Sequence, residues 1–180
     1  MALQTFDITA CPHPIGPQLL QQIGSLRVDA WQEESGVSAE IAALGSWTDR
    51  LDDAAQHWLV HDEDGSLLGA ARLTFHDSLA SVNYGAQFAP VADRLRPPFA
   101  SISRLVLRKS VHHRGLWRRL DEIRIAQARA SGMSAIVAIC GSYRLDKLAS
   151  HGFRQIGPKF AETELPDHDA YPVCLFLDTH

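Results

Sequence analysis

Three cysteines in 180 residues, at positions 11, 140 and 174, are too few and too scattered for a disulfide framework or a zinc cage. No apolar run approaches the roughly 18 residues that a membrane span needs. The opening segment, MALQTFDITACPHPIGPQ, lacks the basic flank and apolar core of a secretory signal. Internal repeats and low-complexity tracts are missing as well. With 46% hydrophobic and 21% charged residues, the composition excludes wholesale disorder. These absences lead to the expectation of a cytoplasmic protein with no membrane partner, folding as one domain over 1–180 against a prior of roughly 150 residues per domain.

Strong net charge is lacking too. The chain carries −4, which gives no general reason to expect nucleic acid as a partner. The distribution says more. Residues 104–129 hold eight basic side chains against two acidic ones (Asp121 and Glu122), a net of +6, while the remainder holds nine against nineteen, a net of −10. One basic segment in an acidic chain points either to a local anion site or to a solvated helix face.

Apolar spacing predicts an amphipathic helix over 18–34, through Leu19, Leu20, Ile23, Leu26, Ala30 and Trp31. A short helix is possible at Ser38–Leu44. His57–His61 and Leu67–Phe75 flank Asp62-Glu63-Asp64-Gly65, a strong hairpin signal. Residues 77–98 read as loop, with a short helix possible near Val91–Leu95. Ser101–Leu107 reads as a buried strand, and Leu116, Leu120 and Ile123 trace a helix that Gly132 can close. Ala135–Cys140 is a wholly apolar strand, Ser142 can cap a helix through Ser150, and Tyr171–Leu177 reads as a last strand. The fold class is α/β (α+β): one mixed central sheet flanked by helices.

The sharpest local feature is strand, short loop, Gly115, helix, inside the basic span. A helix start offers unpaired N–H groups and partial positive charge, which suits a pyrophosphate. Gly115 lets a phosphate approach the backbone, and Arg114, Arg118 and Arg119 add charge beside it. The glycine pattern is neither a Walker A loop nor a dinucleotide-binding fingerprint.

The stretch Leu105-Val106-Leu107-Arg108-Lys109-Ser110-Val111-His112-His113-Arg114-Gly115-Leu116-Trp117 resembles the GCN5-related N-acetyltransferase (GNAT) superfamily. That family has a hydrophobic strand, a short loop, then Gln/Arg-x-x-Gly-x-Gly/Ala opening a helix. The resemblance implies an acyl-CoA co-substrate, acetyl-CoA or another, and no metal. Its pyrophosphate would lie against His112, His113, Arg114, Gly115, Leu116, Trp117 and Arg118, and its thioester against Leu105, Val106 and Leu107. Leu148–Phe153 is similar to the family's Tyr-x-x-x-Gly-Phe signature. His112 stands where Gln or Arg is usual, Trp117 replaces the second small residue, and Leu148 replaces the tyrosine that often protonates the leaving thiolate.

A second likeness is to the acyl-homoserine-lactone synthase and N-acyl amino acid synthase branch of the same fold. It rests on Arg27, Trp31, Asp49, Asp52, Arg72 and Arg104, in the local patterns Asp49-Arg50-Leu51-Asp52, Gly69-Ala70-Ala71-Arg72-Leu73 and Ser101-Ile102-Ser103-Arg104. Ser101 stands where that branch has a glutamate. The likeness implies acceptor binding by Trp31, Asp49, Asp52, Arg72 and Arg104; physically the same charges can also form a purely structural ion network.

The leading expectation is therefore an N-acyltransferase acting by direct transfer on a small amine or amino acid, with a homodimer possible. The alternatives are an autoinducer-synthase-like enzyme using acyl-carrier protein, and a non-catalytic acyl-CoA-binding module. The candidate bases are Glu33, Glu34 and His76, and Tyr143 or Tyr84 is the candidate acid. His57 and His61 share a face, but no third ligand has metal spacing. Cys140, closing an apolar strand, reads as core. So do Trp31, Trp47 and Trp58.

Overall fold

A computed structural model describes residues 5–34, 36–165 and 167–177. Strand β1 is Asp7–Ala10, helix α1 Pro17–Gln32 and α2 Ala39–Leu44. The hairpin strands are β2, Gln56–His61, and β3, Leu67–His76. After two 3₁₀ segments come β4, Phe99–Leu107, and α3, Leu116–Ala130. The chain closes with β5 (Ala135–Gly141), α4 (Ser142–Ala149), β6 (Arg154–Gln155), β7 (Phe160–Ala161) and β8 (Asp169–Phe176).

The strands hydrogen-bond in the order β1-β2-β3-β4-β5-β8-β6, with β7 also on β8. The sheet is mixed, as expected: β4 runs parallel to β5, with Ala100 facing Ile136 and Ser101 facing Val137, whereas β5 and β8 are antiparallel from Ala135–Phe176 to Gly141–Ala170.

The described chain forms two compact units: residues 5–72, 104–120 and 163–165, and residues 73–103, 121–162 and 167–177. Strands β3 and β4 each contribute to both. In the first unit, Ile23, Leu26 and Ala30 of α1 pack on Leu59, Ala70 and Val106. Beside them Val28, Ile41, Trp47 and Leu165 form a second apolar cluster. Gly24 lets the 46–48 segment lie close against α1: a Cβ there would run into the Ser46 hydroxyl and the Thr48 methyl group, which would have to shift. In the second unit, Val82, Phe88, Val91, Leu95 and Phe99 pack with Ala135, Val137 and Cys174.

Sequence and structure agree where a pattern is long. The turn of the hairpin is held by Asp62 Oδ1, which accepts from Asp64 N and Ser66 N. Ser38 caps α2 by accepting from Ile41 N at 3.4 Å. Two expectations need correction. Ser142 is the first helical residue of α4 rather than its cap; extended Gly141 precedes it and no side-chain cap bond forms. The segment read as loop holds a ten-residue 3₁₀ helix, Gly85–Arg94, whose Phe88 and Val91 are buried. Among the described residues, no helix is long and apolar enough to cross a membrane.

Candidate functional site

Strand β4 hands over to α3 within the first unit. Arg108 N donates to Leu68 O at 2.8 Å, which ties the end of the strand to β3. A single 3₁₀ turn, Lys109–Val111, follows, closed by Val111 N to Arg108 O and Arg114 N to Val111 O. The chain then needs a left-handed residue to enter the helix. Gly115 supplies it at φ +72°, and a Cβ there would meet no atom within 4 Å. Arg119 N donates to Gly115 O, so α3 starts at once. The N–H groups of Gly115 and Leu116 donate to nothing among the described residues. Lys109, His113, Arg114, Arg118 and Arg119 are exposed around this start.

Of the residues expected to line a pyrophosphate, Leu116 is wholly buried and can offer only backbone. The side chain of His112 turns inward. Its Nε2 lies 2.9 Å from Leu107 O, its Nδ1 3.3 Å from Glu34 Oε1, and its ring meets Trp117 edge-on at 5.5 Å. Val106 and Leu107, expected near a thioester, are buried by side chain as well, and β4 presents backbone there.

Two of the candidate bases, Glu33 and Glu34, come to this loop. Glu33 Oε2 accepts from Lys109 N at 3.3 Å, and Glu34 faces His112. Asp29 pairs with Arg108 at 3.1 Å. The last turn of α1 and the two residues after it thus brace the loop through three carboxylates. The other candidates belong to the second unit. His76 is buried, with Nε2 2.7 Å from Thr74 Oγ1 and Nδ1 2.8 Å from Ser81 Oγ, so both ring nitrogens are engaged. Tyr143 is half exposed and edge-on to His168, while Tyr84 packs on Phe160.

The charged set does come together. Arg27 grips Asp52 with two bonds of 2.9 Å and donates to Trp47 O at 3.0 Å. Arg72 Nη1 reaches Asp49 Oδ1 at 2.6 Å and Asp52 Oδ1 at 2.9 Å. Arg104 Nη2 reaches Asp49 Oδ2 at 2.9 Å and both oxygens of Glu164, at 3.0 and 3.1 Å. The Arg104 guanidinium also lies 4.0 Å over the Trp47 ring, and Trp31 meets Trp47 edge-on at 6.4 Å. Within β4 Arg104 has φ +51°, a conformation that costs of order 1–3 kcal/mol in a non-glycine residue and persists only where surroundings enforce it.

Burial works to raise the Asp49 carboxyl, but Arg72 and Arg104 hold it well below the ordinary carboxylate range. Asp52 is likewise held low by Arg27 and Arg72 against its burial. Burial lowers Arg27, against the pull of Asp52. Burial also works against the charge of Arg104, but Glu164 and Asp49 raise it above its usual value. His57 joins the network through Nε2, 3.0 Å from Asp52 O, and burial lowers its pKa. Among the described residues no group of three or more His, Cys, Asp or Glu could hold a metal ion. Burial pushes the Cys140 thiol up to about 12, which leaves it a core residue without thiolate character.

His57, Trp47 and Glu164 belong to this cluster without a sequence signal that points to it. Trp47 reads as core from the sequence, and it is buried, but it also donates from Nε1 to Glu164 Oε1 at 2.9 Å. Glu164 itself carries no local signal.

No family model matches the chain, and no curated protein does. Solved structures do share its fold. FeeM, an N-acyl amino acid synthase from uncultured soil microbes, superposes with a TM-score of 0.71 at 10% identity, over 97% of this chain and 92% of that one. An acyl-CoA N-acyltransferase from Pseudomonas aeruginosa gives 0.67 at 18% identity, over 94% and 99%. BjaI, a CoA-dependent acyl-homoserine lactone synthase, gives 0.70 at 17% identity, over 97% and 84%. The chain therefore shares the fold of these synthases and of this acyltransferase, the fold that the resemblance at Gly115 implied.

Proposed function

We propose that the chain is an N-acyltransferase that moves an acyl group from acyl-CoA to the amine of a small amino-acid-like acceptor. The observation that carries this reading is the start of α3. Two adjacent amides, of Gly115 and Leu116, have no acceptor among the described residues. The glycine between loop and helix leaves open space where a Cβ would stand, and exposed cations surround it. That combination suits a diphosphate by both hydrogen bonding and charge. The fold shared with acyltransferases supports the same assignment.

Acyl-CoA supplies an activated carbonyl: a C–N bond forms as the C–S bond breaks, the amine gives up one proton overall, and the departing sulfur takes one up. The chain's contribution is position and polarity. Loop amides hold the diphosphate, backbone N–H groups of β4 near Leu105–Leu107 polarise the carbonyl, and the Asp49–Arg104 side of the ion network orients the acceptor. No covalent enzyme intermediate is needed.

A second reading is an autoinducer-synthase-like enzyme, with acyl-carrier protein as the alternative donor; the feature behind it is that Arg27, Asp49, Asp52, Arg72 and Arg104, on which the likeness to that branch rests, assemble into a single network. Isothermal calorimetry with CoA tests the first reading, followed by thiol release from acetyl-CoA with an amine panel. Binding together with release supports it, and absence of both refutes it. Native mass spectrometry of the purified protein separates the two donors by the mass of what travels with it.

A further inference from the structure

His112 meets oxygen at both ring nitrogens. Nε2 lies 2.9 Å from the carbonyl of Leu107, the last residue of β4. Nδ1 lies 3.3 Å from Oε1 of Glu34, two residues beyond the end of α1. A neutral imidazole has one N–H and one lone pair, so it donates to one of these oxygens and turns a lone pair toward the other. The doubly protonated ring donates on both sides and brings the charge that matches Glu34. Histidine changes between these two states within the range of pH 5 to 8.

The contact stands at a sensitive point of the loop. Asp29 and Glu33 anchor its first two residues, through Arg108 at 3.1 Å and through Lys109 N at 3.3 Å. His112 follows the single 3₁₀ turn and precedes Gly115 by three residues, so it is the anchor nearest the amides that would hold the diphosphate. Its ring also meets Trp117, in the first turn of α3, edge-on at 5.5 Å. The charged groups around the ring are Glu33 and Glu34 from the end of α1, Lys109, His113 and Arg114 from its own loop, and Arg118 from α3. From β4 it meets a carbonyl. Glu33 is engaged by Lys109 N and lies 3.9 Å from Arg108, so the carboxylate facing the ring is that of Glu34.

We infer that His112 is a positioning residue for the diphosphate loop: as a cation it clasps Glu34 and fixes the loop for the ligand, and as neutral imidazole it releases that carboxylate, so acyl-CoA is held more tightly on the acid side of neutrality than on the alkaline side. The inference rests on the acyl-CoA reading of this loop and deepens it.

The test is calorimetry of the full chain with CoA at pH 6 and pH 8, at constant ionic strength, for the wild type, Glu34→Gln and His112→Gln. Glu34→Gln removes the carboxylate charge from an exposed side chain. His112→Gln keeps a donor for Leu107 O and removes the nitrogen that faces Glu34. The phosphates of CoA and the neighbouring His113 titrate in all three proteins, so the comparison among them isolates the clasp. From pH 6 to pH 8 the wild-type Kd is expected to rise by about three- to fivefold more than that of either variant. Binding rather than turnover is read, so a role of Glu34 as base would not register. Without ligand, the wild type is expected to exceed Glu34→Gln in Tm by about 1–3 °C at pH 6, with the gap closing at pH 8, because a contact made by the cation is present at the acid end and lost as pH rises. A Kd that responds to pH alike in all three proteins overturns the inference, and so does a Tm gap of equal size at both pH values. In either case CoA binding by the wild type leaves the acyltransferase reading standing. If the wild type binds no CoA at either pH, that reading falls and the inference with it.

Discussion

The first unit handles charge in two opposite ways. In the ion network, three guanidinium groups and three carboxylates are matched within hydrogen-bond reach, and Arg27, Asp52 and Arg72 have no exposed side-chain surface at all. At the start of α3, Lys109, His113, Arg114 and Arg119 stand exposed, and two amides donate to nothing among the described residues. The contrast teaches which charges are structural. Where water is excluded, a charge must be matched by the protein itself; where water reaches, positive charge can be left over for a ligand. The same logic divides the network internally, because exposure rises outward from Asp52 to Asp49 (19%) and Glu164 (29%).

The largest expected effect comes from breaking the matched side. Asp52→Ala strands Arg27 as a buried cation and leaves Arg72 with Asp49 alone, and removing one partner of a buried pair typically costs about 3–5 kcal/mol. Denaturant or thermal unfolding measures it. If the loss is no greater than for Glu164→Gln, the inner and outer parts of the network do not differ as argued. A smaller effect sharpens the same point through pH. Asp49 and Asp52 are both depressed in the folded state, so their contribution is full above the unfolded carboxylate value of about 3.9 and fades as pH falls toward the folded values. Asp49→Asn should therefore flatten the acid limb of the stability curve, by about 2 kcal/mol between pH 5 and pH 2, while CoA binding at neutral pH stays the same. An acid limb as steep as that of the wild type counts against the matched network.

How much of this is legible in the sequence depends on the range of the interaction. Helices α1 and α3 and the β2–β3 hairpin follow from apolar spacing and an Asp-Gly turn, which are local signals. Strand β1 is four largely exposed residues, and β6 and β7 have two residues each, too short for any period to show. Gly115 is legible because a strand, a loop and a helix must meet there. Arg27, Asp49, Asp52, Arg72 and Arg104 are marked by resemblance rather than by spacing. Neither marks Glu164. It lies 60 positions from Arg104 and 117 from Trp47, and the backbone bond from Ser38 and the burial of Leu165 bring it to them. The bracing of the loop by Asp29, Glu33 and Glu34 was hidden for the same reason: each acid looks like an ordinary exposed residue at the end of a helix.

On the unmatched side, Gly115→Val forces a β-branched residue to φ +72°, a cost of about 1–2 kcal/mol, and puts methyl groups into the open space that a diphosphate would need. Calorimetry should show CoA binding lost while circular dichroism still reports a folded chain. Retained affinity would mean that the bare glycine serves only the turn.

The smallest and most pointed change is Arg114→Glu. The side chain is exposed, and its guanidinium makes no ion pair or hydrogen bond among the described residues, so reversing its charge removes no protein contact. Stability should stay within about 0.5 kcal/mol of the wild type, the usual range for such a surface position. A ligand diphosphate would feel two changes at once, the loss of one attractive charge and the gain of one repulsive charge, each worth about 0.3–1 kcal/mol at an exposed helix start. Affinity for CoA should fall roughly tenfold at low ionic strength, and the gap between variant and wild type should narrow as salt is added, because exposed charges are screened over about 10 Å at 0.1 M. The salt series separates charge from shape. A tenfold loss that salt leaves untouched would place the effect in loop geometry, and no loss at any salt would show that the leftover positive charge at this helix start is not where the diphosphate binds.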